Sequence, residues 1–280
     1  MIFFPNCKIN LGLNITSKRA DGYHNLETVF FPINLKDVLE IIKRPVVNTE
    51  MGTSWSAILT SSGLPIPGNP QDQICLKAYQ LIKNDFPDKI YSMDIFLHKA
   101  IPTGAGLGGG SSDGAFMLKA INDVFNLRLS TDQLIRYALQ LGSDCPFFII
   151  NKPCFATGRG EILEEINLDL SGYRLVIVNP GIHVSTATAF SKIKPTPPAK
   201  SITEIIKQPV ETWKNELKND FEETVFELHP EIAEVKKSLY NKGAAYASMT
   251  GTGSTVFGIF ANTQKPVFDF AKEYFVYTEM

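Results

Sequence analysis

Residues 102–115 read Pro-Thr-Gly-Ala-Gly-Leu-Gly-Gly-Gly-Ser-Ser-Asp-Gly-Ala and hold six of the chain's 20 glycines. A stretch with so few Cβ atoms can adopt left-handed backbone and turn several N–H groups toward one ligand. Upstream, Met93, Ile95 and Leu97 alternate as in a half-buried strand, and Lys99 continues their row. Downstream, Leu118, Ile121 and Phe125 recur at helical spacing, with Ser111 or Ser112 as a natural N-cap. Strand, glycine loop and helix N-terminus in this order favour a bound phosphate, because backbone donors and the positive end of the helix add together.

Gly104 to Gly109 formally fits the G-x-G-x-x-G pattern of dinucleotide-binding folds. That fold needs a continuously apolar parallel strand running into the first glycine. Here the strand carries Asp94, His98 and Lys99, Pro102 intervenes, and the chain is still helical near Asp123 and Val124, where a ribose-binding acid would end a second strand. A P-loop needs Gly-Lys-Ser/Thr after its glycines, and no lysine follows these. A flexible loop without ligand would rarely lie between an entering strand and a capped helix. A phosphate-binding loop of a third kind fits best.

The rest of the chain mixes strands and helices without regular alternation, so the expected class is α+β. Ile9, Leu11, Leu13 and Ile15 alternate as a half-buried strand, and Asp21-Gly22 marks a turn. Residues 72–86 place Ile74, Ala78, Leu81 and Ile82 on one helical face. Ser130 and Gln133 form a capping box for a helix that Gly142 ends. Residues 143–150 are expected to return to a strand. Residues 174–180 read as a buried strand and 192–200, with three prolines, as a loop. Residues 220–243 read as helical with a break at Pro230, 244–261 as a strand pair around a glycine turn, and 264–275 as a final helix.

Composition narrows the class. Of 280 residues, 44% are apolar and 20% charged, enough for a packed core. A net charge of −2 argues against a nucleic-acid partner. Cys7, Cys75, Cys145 and Cys154 form no C-x-x-C pair, so reduced thiols and a cytoplasmic location are expected. No signal peptide, membrane span or internal repeat is read, so no membrane partner is expected.

Pro102-Thr103-Gly104-Ala105-Gly106-Leu107-Gly108-Gly109-Gly110-Ser111-Ser112 resembles the phosphate motif of the GHMP kinases. Residues 5–15 resemble that family's N-terminal motif and 249–260 its glycine-rich C-terminal motif, in the same order and over nearly the whole chain. The resemblance implies two domains: an ATP-binding domain over 1–155 with a ribosomal-protein-S5-like fold, and a ferredoxin-like substrate-side domain over 156–280. It implies ATP and Mg2+ as cofactors, with residues 102–112 around the phosphates, Lys99 near the nucleotide and the metal ligands unassigned.

Residues 15–30, with Ala20-Asp21-Gly22-Tyr23-His24 at their centre, resemble members whose small-molecule substrate is a polyol linked to cytidine diphosphate. In them Lys8 and Asp144 match the catalytic positions. Phosphoryl transfer asks for a carboxylate to take the alcohol proton and a lysine to stabilise charge. Tyr23, His24 and Phe190 match cytidine-binding positions, a use of rings against a flat base. Asn10 and Thr186 match positions that contact the polyol. A monomer or weak homodimer is expected. Asp72-Gln73-Ile74 departs from relatives on the adenosine side, and a ligand sensor, which needs no base, is disfavoured by Lys8 with Asp144.

Overall fold

The computed structural model describes residues 1–44, the backbone of 48–49 and 52–53, and residues 56–279. In chain order its elements are β1 Ile2–Phe3, β2 Asn6–Lys18, β3 His24–Lys36, β4 Val38–Lys43, β5 Asn48–Thr49, β6 Gly52–Thr53, β7 Ala57–Gly63, α1 Ile74–Asp85 and β8 Met93–Lys99. Next come α2 Gly109–Val124, α3 Thr131–Leu141, α4 Cys145–Ile150, β9 Cys154–Thr157, β10 Ile162–Glu165, β11 Tyr173–Asn179, α5 Thr186–Phe190 and α6 Ile202–Ile205. The last are α7 Phe221–Leu228, α8 Pro230–Asn241, β12 Tyr246–Met249, β13 Val256–Ala261 and β14 Phe275–Thr278. The α+β class is as expected. Among the described residues no helix is long and apolar enough to cross a membrane.

The chain divides into two compact units. The first comprises Met1–Cys7, Leu35–Thr103 and Gly109–Asn151. Its sheet has the order β1-β4-β8-β7, with β7 and β8 parallel and the other pairs antiparallel. Leu39 pairs with Leu97 and Ile41 with Ile95, so one face is a buried aliphatic row. Helix α3 starts with the expected capping box: Ser130 Oγ accepts from Gln133 N–H, and Gln133 Oε1 accepts from Ser130 N–H.

The second unit comprises Lys8–Asn34, Gly104–Gly108 and Lys152–Met280. It contains two four-stranded sheets, β10-β9-β3-β2 and β12-β13-β11-β14. Leu13, Ile15, Val176, Val178, Phe221, Val225, Ile232, Leu239 and Phe260 share one core. The expected strand pair at 244–261 is β12 with β13, and the helix break at Pro230 separates α7 from α8.

Four expectations are corrected. Residues 145–150 form α4 and not a strand. Six apolar residues carry no period, and Pro146 sits in the first turn, where proline suits a helix. Residues 264–275 form no helix. Phe268 and Phe270 stack on each other at 5.2 Å, a spacing of two that an extended chain provides and a helix does not. Strand β2 is buried on both faces over Asn6–Leu13, so its polar residues line an interior network and not solvent. Helix α2 begins at Gly109, which leaves Ser111 and Ser112 within its first turn and not at its cap.

Candidate active site

The second unit gathers residues of three glycine-bearing segments around one buried lysine. Lys8 is 3% exposed, and its ammonium donates to Asn10 Oδ1 at 2.6 Å and to the Gly106 carbonyl at 3.1 Å. It also lies 5.1 Å from the centre of the Phe30 ring. The Asn10 backbone N–H donates to Thr250 Oγ1 at 3.0 Å, and the Thr250 hydroxyl faces both Asn10 Oδ1 and the Gly106 carbonyl. Asn10 Nδ2 donates to Thr28 Oγ1 at 2.9 Å, and the Thr28 hydroxyl donates to the Gly12 carbonyl at 2.5 Å. Every buried polar atom in this chain of donors and acceptors therefore has a direction fixed by its neighbour.

Gly106 shows why the loop needs glycine here. Its φ is +80°, and a Cβ would stand 2.1 Å from the Thr250 carbonyl oxygen. Only a residue without a side chain lets the loop approach the turn after β12 so closely. Lys8 N–H to Leu107 O at 3.0 Å and Thr255 N–H to Ala105 O at 3.3 Å complete the clasp. His183, which no sequence pattern assigns, has Nδ1 3.8 Å from the position of a Gly104 Cβ.

The same unit carries the aromatic group. His24 stacks on Phe190 with ring centres 4.8 Å apart and 22° between planes, and Phe190 meets Phe221 edge-on. Tyr23 is 57% exposed, at a turn where its N–H donates to Asp21 Oδ1. That bond first, and Arg19 after it, hold the Asp21 carboxyl below its usual range. Thr186 begins α5 behind the Ser185 cap and is exposed.

In the first unit, Gly109 to Ser112 form the opening turn of α2, a sixteen-residue helix whose free N–H groups favour an anion. Beneath it, Lys99 binds Asp37 and Asp113, the latter at 2.6 Å, with all three side chains at most 3% exposed. Asp37 Oδ1 also accepts from the N–H groups of Ala100 and Ile101, fixing the chain as it leaves β8. Burial disfavours the Lys99 ammonium, but Asp113 and Asp37 outweigh it and raise the pKa above that of an ordinary lysine. Burial lifts Asp113 to about 7 despite Lys99, since one ammonium cannot satisfy two interior carboxylates, and Asp37 adds to the rise. Asp144 is half-buried and immediately precedes α4. The Cys145 thiol beside it is pushed up to about 12, mainly by burial.

The structure thus brings Lys8, Asn10 and Gly106 together, and His24 with Phe190. It places Lys99 against Asp37 and Asp113. Thr28, Thr250, Asp37 and Asp113 were not singled out in the sequence. Thr250 and Asp113 lie inside glycine-rich segments that could have flagged them, whereas Asp37 is a solitary acid between two strands and carries no pattern.

Residues 73–152 match the GHMP kinases N terminal domain and 201–276 match GHMP kinases C terminal. A 4-diphosphocytidyl-2-C-methyl-D-erythritol kinase of Bacteroides fragilis is 54% identical over 265 residues, 95% of this chain and 94% of that protein. The chain belongs to the 4-diphosphocytidyl-2-C-methyl-D-erythritol kinase family. A kinase of this family from Cytophaga hutchinsonii is 49% identical over 96% of the chain and 95% of its own length. A crystal structure of a 4-(cytidine 5'-diphospho)-2C-methyl-D-erythritol kinase superposes with a TM-score of 0.78 at 29% identity, covering 92% of this chain and 90% of that one.

Proposed function

We propose that this protein transfers the terminal phosphoryl group of ATP to the 2-hydroxyl of 4-diphosphocytidyl-2-C-methyl-D-erythritol, a step of non-mevalonate isoprenoid precursor biosynthesis. The observation that carries the reading is the clasp at Lys8, Asn10, Gly106 and Thr250, which joins the family's three motifs in a chain similar to these kinases over almost its full length.

The backbone N–H groups of residues 104–112 and the α2 N-terminus bind the ATP phosphates, and Lys99 supports that stretch through Asp37 and Asp113. Asp144 takes the proton of the attacking hydroxyl, and Lys8 stabilises negative charge as the phosphoryl group moves. Asn10 and Thr186 bind the methylerythritol part. Tyr23, His24 and Phe190 hold the cytosine by stacking and by hydrogen bonds to its edge.

The residues present suit Mg2+. Ser112 Oγ and Asp113 Oδ1 are buried and have no hydrogen-bond partner among the described residues, so oxygen donors remain there for a hard cation. Among the described residues no cluster of three or more His, Cys, Asp or Glu side chains could hold a metal, as suits an ion carried mainly by phosphates. When bound, Mg2+ neutralises phosphate charge, and Ser112 is the side chain that would hold it.

An ADP-release assay with Mg-ATP tests this reading against 4-diphosphocytidyl-methylerythritol, mevalonate, homoserine and galactose. Turnover with the first alone is expected. Turnover only with another alcohol would overturn the substrate, and ATP binding without turnover on any would replace catalysis by sensing. Asp144→Asn should lower kcat by about 10²–10⁴-fold, the worth of a positioned base. Near-normal turnover would remove Asp144 from that role.

A further inference from the structure

We propose that Arg159 is a specificity-determining residue that recognises the diphosphate of the cytidylyl substrate from beside Tyr23. The inference rests on the reading of Tyr23, His24 and Phe190 as a cytidine clamp, and it adds what that aromatic group lacks. Rings recognise a base but leave two ionised phosphates without a counter-charge.

Two arginines stand near Tyr23. The Arg19 guanidinium is committed: Nε donates to both oxygens of Asp21 at 3.2 and 3.0 Å, and another nitrogen reaches Asn25 Oδ1 at 3.1 Å. The Arg159 guanidinium lies over the Tyr23 ring, 4.9 Å from its centre. Its ionic neighbours among the described residues are Glu161 at 3.6 Å, beyond hydrogen-bond range, and Asp21, whose carboxyl it helps to hold down, and it donates no side-chain hydrogen bond to the described residues. Its side chain is 36% exposed, and its five N–H donors form a fork that matches phosphate oxygens.

The turn that carries Arg159 is built to hold it there. Gly158 at φ +69° and Gly160 at φ +104° bracket it, and the Gly160 N–H closes the turn on Thr157 O at 3.0 Å. Glu161 accepts the Arg159 backbone N–H at 2.5 Å. The Leu26 N–H donates to the Gly158 carbonyl at 2.7 Å, which ties the turn to β3 two residues beyond His24. The turn that carries Arg159 is therefore tied to the strand that presents the clamp, and the contact with the Tyr23 ring holds the guanidinium beside it at little further entropic cost.

The test compares binding of cytidine and of CDP by titration calorimetry, with steady-state kinetics, in the full chain and in Arg159→Gln and Arg159→Lys. The side chain is part-exposed, so both variants should fold, and thermal melts check this. Arg159→Gln should weaken CDP about tenfold or more, the worth of a hydrogen bond to a charged group. Cytidine should change less than about twofold, and Arg159→Lys should recover part of the loss. The KM for the cytidylyl substrate should rise with the CDP Kd while the KM for ATP holds. Equal weakening of cytidine and CDP, or no weakening of either, overturns the assignment while leaving the clamp intact. Failure of the unmodified protein to bind either ligand overturns the clamp and the assignment with it.

Discussion

Two interior lysines, each 3% exposed, tie different segments together. Lys99 gives its ammonium to two carboxylates, and all three side chains are buried. Lys8 donates to the amide oxygen of Asn10 and to the Gly106 carbonyl, dipoles belonging to the glycine-bearing motifs themselves. A lysine matched to carboxylates fixes backbone, as the Asp37 bonds to Ala100 and Ile101 show. The Gly106 carbonyl orients Lys8 from within the glycine loop. Burial alone does not separate the two lysines; the segments that their bonds tie together do.

Substitution at each lysine should separate the two cases. Lys8→Met should lower kcat by about 10²-fold or more, the scale of a lost electrostatic contact to the transition state. Its stability cost should stay near 1–3 kcal/mol for the acceptors left unsatisfied. A Lys8→Met enzyme with ordinary turnover, followed by ADP release, would collapse the distinction. Lys99→Met should act first on stability, by about 3–5 kcal/mol, because two buried carboxylates lose their counter-charge. Urea unfolding measures this, and a loss under about 1 kcal/mol would mean that the triad does not support the fold.

The smallest expected effect depends on pH. Asp113 titrates near 7 in the folded chain and near 3.8 when unfolded. A carboxyl raised in this way contributes stability that is present below its unfolded pKa and is lost as pH climbs through about 7. Stability should therefore fall between pH 4 and pH 8 by at most about 4 kcal/mol from this group, and by less because Lys99 and Asp37 respond with it. Asp113→Asn should flatten the slope. Urea midpoints at both pH values decide, and an unchanged slope would mean that Asp113 is ionised throughout.

What the sequence made legible follows from how local each signal is. The α3 capping box needs four residues and was readable at once. So were β8, with its strict alternation, and the glycine loop, whose composition has few other uses. Residues 145–150 were not, because an apolar run lacks a period and only Pro146 and the left-handed Asn151 mark it as helix. Lys8 and Asn10 looked like the wet face of a strand, and only the distant Thr250 and Thr28 make that face an interior. Asp37 was invisible for the same reason: its partners are Lys99 and the N–H groups of Ala100 and Ile101, and no spacing along the chain announces them.

The sheet that carries the N-terminal motif has a consequence for how the protein is made. Strands β2 and β3 neighbour each other, but β3 gains its other neighbour only when Thr28 meets Ala156 in β9. At translation rates of 5–20 residues per second, the hairpin waits on the order of 10 s outside the ribosome with one edge unpaired. During that interval it is a target for chaperones or for a neighbouring nascent copy, and slower decoding of the segment before residue 152 would lengthen the exposure.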